Sequence, residues 1–294
     1  MLRFCSFSSG SSGNCYLVRT DRTALLVDAG IPLRRIRDGL SRTETPEEAV
    51  RAVLVTHEHS DHIRSLGALI GPRGLKRRPA ENGETAPGEG DTDAGEACGE
   101  PLLFYATRET WEALEDQPAL MGCRFEGKRE CCFCEPFRVG DIVVEPFHLS
   151  HDAAAATGYS FTADGRKLTI ITDTGVITDE IRDHARGSDL LVLEANHDVE
   201  MLRIGGYPWF LKQRILGPYG HLSNDTAAEL VCDLLREGMA PGTVALAHLS
   251  QQNNFPEMAW QTLANALEEQ GFVLGRDIAV KILVRDTISE VLTV

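Results

Sequence analysis

Three histidines and an acid stand within the run Thr56-His57-Glu58-His59-Ser60-Asp61-His62, directly after the apolar Ala52-Val53-Leu54-Val55. Neutral imidazole and carboxylate are the donors a borderline divalent cation prefers. In an extended chain His57 and His59 point the same way, because side chains alternate with period two. Asp61 and His62 come after the strand ends and can reach a second position a few ångströms away. One short loop therefore carries donors for two metal ions. A merely solvated polar loop is a poor account of four such groups behind a buried strand.

The elements that must position this loop are legible around it. Strands at about 2–8 and 14–19 flank the loop Ser8-Ser9-Gly10-Ser11-Ser12-Gly13-Asn14, and a third, Ala24-Leu25-Leu26-Val27-Asp28, ends at Ala29-Gly30. A basic helix follows near 32–42, and another near 63–70 after the His-rich loop. Residues 71–100 change character, with almost no large apolar side chain between 79 and 100. That composition buries too little surface to fold alone and predicts a flexible acidic insertion. The strand–helix pattern resumes at Leu102. Helices are expected at 108–116, 178–186, 198–203, 209–216, 224–237 and 256–269. Strands are expected at 137–139, 142–147, 158–163, 167–173, 190–194, 244–247, 279–284 and 290–294. The second half repeats the order of the first without a visible sequence repeat.

Bulk properties set bounds. The chain has 294 residues, 43% of them hydrophobic, and a formal net charge of −15. Such a balance argues against a uniformly basic nucleic-acid-binding surface. No apolar run of about 18 residues suggests a membrane-spanning helix. The first residues lack a basic region followed by an apolar core, so no secretory signal is read. The eight cysteines then read as reduced thiols of a cytoplasmic protein rather than a disulfide framework.

Chemistry-bearing residues recur just past apolar strands. Asp28 follows Leu25–Val27, His57 follows Val53–Val55, His151 lies in Pro146–Asp152, and Asp173 follows Leu168–Thr172. Glu194 to Asp198 follows Leu190–Leu193, and His248 follows Val244–Ala247. Loops held at the ends of a rigid sheet are the usual location for catalysis.

In their order, Asp28, His57-x-His59-x-Asp61-His62, His151, Asp173 and His248 resemble the five motifs of the metallo-β-lactamase superfamily. The segments Ser9–Cys15, Ser150–Asp152, Glu194–Leu202 and Gly220–Asn224 look like its YycJ-type (WalJ-type) branch, which is related to the tRNA 3′-processing nucleases. The resemblance implies an α/β (α+β) fold: one domain over 1–294, built as a four-layered αββα sandwich with a di-metal site at one edge. It also implies that His57, His59 and His151 hold one ion, that Asp61, His62 and His248 hold the other, and that Asp173 bridges them. Asp28 would orient a ligand or the attacking water from behind. His221, in Gly220-His221-Leu222-Ser223, sits where the related nucleases carry a non-ligand histidine of a His-Ser-Thr-type motif, implied to contact the scissile phosphate or protonate the leaving group. Asp28, Asp61 and His221 are thus the candidate catalytic residues. The metals implied are two divalent ions, with zinc, manganese and iron all suited to these donors.

Other candidates carry weaker signals. Ser9, Asn14, Asn196 and His197 are candidate substrate contacts. His148 and His151, three apart on a strand, face opposite ways, and His148 is expected to pack. His184 is expected on a helix surface. The C-x-x-C spacing in Cys131-Cys132-Phe133-Cys134 would need Cys98 and Cys123 to complete a zinc knuckle, and ordinary thiols are the better reading. Arg203, Lys212 and Arg214, interleaved with Tyr207 and Trp209, form either a strand-binding surface or an amphipathic helix pair with solvated cations.

The leading expectation is a di-metal hydrolase of phosphodiesters, a DNA or RNA nuclease whose attacking group is a hydroxide between the two ions. The YycJ-type resemblance implies a DNA exonuclease. The alternatives are a hydrolase of a thioester, lactone or β-lactam, and a non-catalytic metal-stabilised regulatory protein. Nucleic acid is the expected partner, with no membrane role.

Overall fold

The computed structural model describes residues 1–71, 74–76 and 100–294. Its strands are β1 (Arg3–Ser8), β2 (Cys15–Arg19), β3 (Ala24–Val27), β4 (Val50–Leu54), β5 (Leu103–Ala106), β6 (Lys128–Glu130), β7 (Phe137–Val139), β8 (Ile142–His148), β9 (Thr157–Ala163), β10 (Arg166–Ile171), β11 (Leu190–Glu194), β12 (Thr243–Ala247), β13 (Ala279–Ile282) and β14 (Leu292–Thr293). Its helices are α1 (Leu33–Arg42), α2 (Ser60–Ile63), α3 (Leu66–Ile70), α4 (Arg108–Glu115), α5 (Asp179–Ala185), α6 (Val199–Ile204), α7 (Trp209–Leu216), α8 (Asn224–Arg236) and α9 (Pro256–Glu269).

Two seven-stranded sheets result, in the orders β14-β1-β2-β3-β4-β5-β6 and β13-β12-β11-β10-β9-β8-β7. Period-two alternation gives the central strands two apolar faces. In β3, Leu25 turns inward onto an inter-sheet core with Phe4, Leu54, Phe161 and Val192, while Leu26 turns outward beneath Ile36, Leu40, Leu66 and Trp111. On the second sheet, Leu191, Leu193 and Leu246 pack outward against Ile181, Leu230, Leu234 and Leu263. Three apolar layers between helices, sheet, sheet and helices make the αββα sandwich expected from the sequence. In α8, buried Ala227, Leu230, Val231 and Leu234 follow the i, i+3, i+4, i+7 spacing of one face. Ser223 caps its start, with Oγ accepting from Thr226 N at 3.1 Å.

In each sheet the site-bearing strands run parallel: β3–β4–β5 in the first and β10–β11–β12 in the second. Their C-terminal ends therefore lie along one edge, the usual place for a ligand site in such sheets. Two departures from expectation have local causes. The helix expected at 63–70 is broken at Arg64–Ser65, where Ser65 Oγ donates to the Ile31 carbonyl at 2.7 Å and anchors the turn to the loop after β3. Strand β6 is exposed at all three positions, so it carries no apolar alternation to read; a short charged strand is how a sheet edge is blunted. The insertion expected at about 71–100 lies largely outside the described residues. Among those described, no helix is long and apolar enough to cross a membrane.

Candidate metal centre

The loop after β4 is held against the loop after β3 by backbone contacts that tolerate only glycine. Asn14 N donates to Asp61 O at 2.8 Å, and Gly30 N donates to Asn14 O at 2.8 Å. A Cβ on Gly30 would fall 1.5 Å from Asp61 O, so the loop could not sit there over any other residue.

Asp28, Asp173 and His248, each just past its strand, all have a left-handed backbone, with φ of +61°, +66° and +54°. Such conformations cost an L-residue of order 1–3 kcal/mol and gather at functional sites. They turn the three side chains back toward the sheet edge. His248 N is pinned by donating to Ser9 Oγ at 2.8 Å.

Four imidazoles are tethered through Nδ1, which leaves Nε2 as the nitrogen available to a metal. His62 Nδ1 donates to Asp28 Oδ2 at 2.7 Å, and His248 Nδ1 donates to Glu194 Oε1 at 2.9 Å. His151 Nδ1 donates to the Gly220 carbonyl at 3.0 Å. His57 Nδ1 lies 3.0 Å from Thr56 Oγ1, and that hydroxyl donates on to Asp28 Oδ2 at 2.9 Å. His59, half-buried, joins by ring contacts, 4.6 Å from His57 and 5.1 Å from His151 between centroids.

Donor atoms of four sets lie within 4.8 Å of one another: His57, His59 and His151; His57, His62 and Asp173; Asp61, His62 and His248; and Asp173, Glu194, His221 and His248. His57 Nε2, His248 Nε2 and Asp173 Oδ2 are buried without a hydrogen-bond partner. Orphaned polar atoms are costly, and cations coordinated by these atoms would remove the cost. The donor set therefore fits a divalent metal. All seven residues expected as ligands, with Asp28 behind them, converge in the structure.

The electrostatics agree. Burial alone would raise the Asp173 pKa, but the surrounding imidazoles, His248 first, hold it well below the usual carboxylate range. Burial opposes a charge on His62 too, yet Asp28, Asp61 and Asp173 raise it to about 10. His248 reaches about 9 against burial, through Asp173 and Glu194. His57, for which burial dominates, falls well below its ordinary value. The carboxylates thus demand positive charge at the centre, and a metal ion must displace the protons that His62 and His248 otherwise hold.

Residues 9–118 match the Metallo-beta-lactamase superfamily, and residues 91–248 match the Beta-lactamase superfamily domain. The chain is 38% identical over 276 residues to the exodeoxyribonuclease YycJ of Bacillus anthracis, covering 93% of this chain and 92% of that protein. It belongs to the metallo-β-lactamase superfamily. Within the superfamily it falls in the YycJ/WalJ group, being also 35% identical over 278 residues to the exodeoxyribonuclease WalJ of Streptococcus pneumoniae serotype 2, covering 95% and 93% of the two chains. The crystal structure of Zn(2+)-bound PqqB from Methylobacterium extorquens shares the fold, with a TM-score of 0.67 at 16% identity over 99% of this chain and all of that one.

Against the metallo-β-lactamase frame, the remaining candidates sort as follows. His221 stands beside the centre, its ring 4.9 Å from that of His151 and 5.4 Å from that of His248. Ser9 and Asn14, expected at the substrate, are fully buried. Ser9 Oγ serves Tyr16 and His248. Asn14 Oδ1 accepts from Gly10 N, which turns its Nδ2 onto His62 Nε2 at 3.0 Å. They hold His248 and His62 in place, with their polar atoms engaged inside the protein. His197 is only 1% exposed, and burial pushes its pKa down to about 4; Asp198, not His197, caps α6. Of the four expected substrate contacts, Asn196 alone reaches the wall of the cleft. His184 is not a surface group: its ring stacks on Phe147 at 4.1 Å and Nδ1 meets Ser160 Oγ at 3.1 Å. No group of donors that could hold a metal includes Cys123, Cys131, Cys132 or Cys134 among the described residues; Cys98 lies outside them.

Glu194 is the residue that the sequence reading left without a role. Fully buried, it accepts from His221 Nδ1 at 2.8 Å and His248 Nδ1 at 2.9 Å through Oε1, and from Thr174 N and Leu222 N through Oε2. Burial works against its charge, but His221, by charge and hydrogen bond, and then His248 bring its pKa down to about 2. The available signal was its place at a strand end, shared with Asp28 and Asp173. A second unforeseen contact is the two-pronged pair of Arg214 with Asp152, which ties α7 to the loop carrying His151.

Proposed function

We propose that the protein is a di-metal-dependent phosphodiesterase acting on nucleic acid, specifically a DNA exonuclease, with residues 1–294 forming one catalytic domain. The observation that carries this reading is His221, a histidine in the wall of the cleft beyond the seven ligands assigned to the two ions, its Nδ1 engaged by Glu194 Oε1 at 2.8 Å. His57, His59 and His151 would hold one ion and Asp61, His62 and His248 the other, with Asp173 between them. The ions would supply Lewis acidity to the phosphate and a nucleophilic water at neutral pH, with zinc, manganese and iron all chemically suited.

The chain's own groups do the rest. A cleft of about 230 Å³ lies over the cluster, walled by His59, His151, Asn196, Tyr207, Arg214 and His221. Glu194 accepts from His221 Nδ1 and stabilises the doubly protonated ring, whose Nε2–H would then pass its proton to the oxygen that leaves phosphorus as the P–O bond breaks, leaving the neutral imidazole. Asp28 keeps His62, and through Thr56 also His57, turned toward the centre. An acyl substrate has less use for such a donor, and the names of the YycJ and WalJ relatives favour DNA. The seven described cysteines are free, in keeping with a reducing, cytoplasmic setting.

The test is digestion of end-labelled single- and double-stranded DNA and RNA with added divalent ions. DNA is expected to shorten from an end, with activity lost to a chelator and in His59→Ala. His221→Ala should keep its metals while losing about 10²–10⁴-fold in rate. Metal-loaded protein that leaves every strand intact but opens a thioester or lactone would sink the reading.

A further inference from the structure

We propose that the α6–α7 hairpin is a stacking platform for unpaired bases of the strand held in the cleft; this rests on the nuclease reading and adds a substrate class to it. Ile204, Trp209, Phe210, Leu216 and Tyr219 are 84%, 67%, 72%, 41% and 61% exposed. All five fall within residues 204–219. Apolar surface gathered so closely marks an interaction site rather than incidental exposure.

The hairpin's other face is part of the cleft. Tyr207, Leu211, Arg214 and Ile215 line it. Phe210 and Arg214 are four apart on α7 and hence neighbours on its surface, so Phe210 stands one step outside the cleft rim. The hairpin is also fastened to the metal-binding loop. Pro218 O accepts from Ser150 Oγ at 2.8 Å, Tyr219 O from Asp152 N at 3.1 Å, and Gly220 O from His151 Nδ1 at 3.0 Å. A chain leaving the centre on this side must cross the exposed rings.

What crosses them is read from the chemistry they offer. The cations of the hairpin are engaged within the protein. Lys212 is only 8% exposed, and its Nζ donates to the Arg203 and Gly205 carbonyls at 2.6 and 2.7 Å. Arg203 pairs with Glu200 at 2.7 Å, and Arg214 with Asp152. Of the two sequence-based readings of this stretch, the strand-binding surface is the one carried forward: Lys212 is buried, Arg203 and Arg214 lie at the surface paired with Glu200 and Asp152, and the rings are exposed. With the cations already paired to carboxylates or carbonyls, the exposed rings offer their contacts chiefly to π faces. Bases expose their faces only when unstacked, in a single strand or at a frayed or overhanging end.

The experiment compares metal-loaded wild type with the Trp209→Ala/Phe210→Ala double variant, whose mutated side chains are exposed and carry little of the fold. A phosphorothioate single strand that resists cleavage reports binding. Wild type is expected to bind it with quenching of Trp209 fluorescence, and the double variant about 5- to 150-fold more weakly per ring lost, with an unchanged salt slope. A duplex carrying an unpaired overhang should lose affinity likewise, which separates end-fraying from a requirement for a wholly single strand. A duplex closed by hairpins at both ends should lose none. Equal losses on closed duplex and single strand, or no loss on either, overturn the platform. So does light scattering that finds wild type dimeric and the variant monomeric at unchanged strand affinity, because a second copy then covers the rings. Hydrolysis of bis(p-nitrophenyl) phosphate, too short to span from the metals to Trp209, is read in parallel. If wild type hydrolyses it and the variant binds strands normally, the platform alone falls; if wild type hydrolyses no phosphodiester, the nuclease reading falls.

Discussion

The first sheet delivers His57, His59, Asp61 and His62 from one continuous loop, whereas the second gathers His151, Asp173 and His248 from the ends of three separate stretches. Each side rests on one fully buried carboxylate. Asp28 accepts from His62 and from both the N–H and hydroxyl of Thr56. Glu194 accepts from two imidazoles and two backbone N–H groups. The electrostatic outcomes diverge. For Asp28, burial outweighs its contacts and raises the pKa. For Glu194, the imidazoles overcome burial and lower it to about 2. A buried carboxylate is a stable anion when the protein replaces its lost water with enough donors. Glu194 has two rings for this, while Asp28 depends on one.

The widest consequence concerns acid. A carboxyl whose folding lowers its pKa stabilises the folded state above its unfolded value, near 4.5, and loses that contribution as pH falls through the folded value, near 2. The difference in unfolding free energy between wild type and Glu194→Gln, both metal-free and followed by urea denaturation, should shrink by about 3 kcal/mol between pH 5 and pH 2. A difference that stays flat across this range would mean that the two imidazoles do not hold Glu194 as an anion.

Next in size is the effect on metal. Loss of a carboxylate behind a metal-binding histidine costs about 10–100-fold in metal affinity or activity. Glu194→Gln should lie at the upper end, because an amide oxygen cannot serve both His221 and His248 as a carboxylate does. Asp28→Asn should lie lower in activity, but it should release His62 from its high pKa, which falls from about 10 because burial alone lowers it. Competition with a chromogenic chelator measures the first effect, and imidazole NMR titration of the metal-free protein measures the second. Asp28→Asn with an unmoved His62 would erase the contrast between the two supports.

How much of this was legible follows the same division. The grouping of the strands into two sheets came from the family resemblance, while most strands were readable because they carry a short apolar run. Edge strand β6 was not, since three exposed charged residues give no periodic signal. The loop side of the site was readable because its donors are local: a spacing of two and three is visible in any sequence. The second side needed convergence, and motif resemblance supplied it for His151, Asp173 and His248. The resemblance took in the segment Glu194–Leu202 but gave Glu194 no role, and a lone glutamate at the end of a buried strand reads as an ordinary strand end. The serine-rich loop misled in the opposite direction. Ser9 and Asn14 are polar and flank glycines, yet they are interior groups that pin His248 and His62. Polarity in a sequence does not tell which side of a loop faces water. The left-handed backbones of Asp28, Asp173 and His248 were equally invisible, because nothing in residue type requires them.

The smallest effect tests how sharply the second side discriminates between neighbours. His148 ends β8 three residues before His151, and by composition alone either could be the ligand. The strand places them apart. His151 is buried with Nδ1 on a carbonyl, whereas His148 is exposed with its ring edge-on to Phe133 at 5.4 Å. Its backbone N–H, which donates to Glu180 at 3.3 Å, survives any substitution but proline. His148→Ala therefore removes one exposed ring contact and should change stability by no more than about 0.5 kcal/mol. Its metal content, read by elemental analysis after dialysis, should equal that of wild type, while His151→Ala loses metal. Because the two are the same residue type three positions apart, the pair compares position rather than chemistry. Metal lost from His148→Ala would mean that β8 ends in a different register, and the convergence on the second side would have to be redrawn around it.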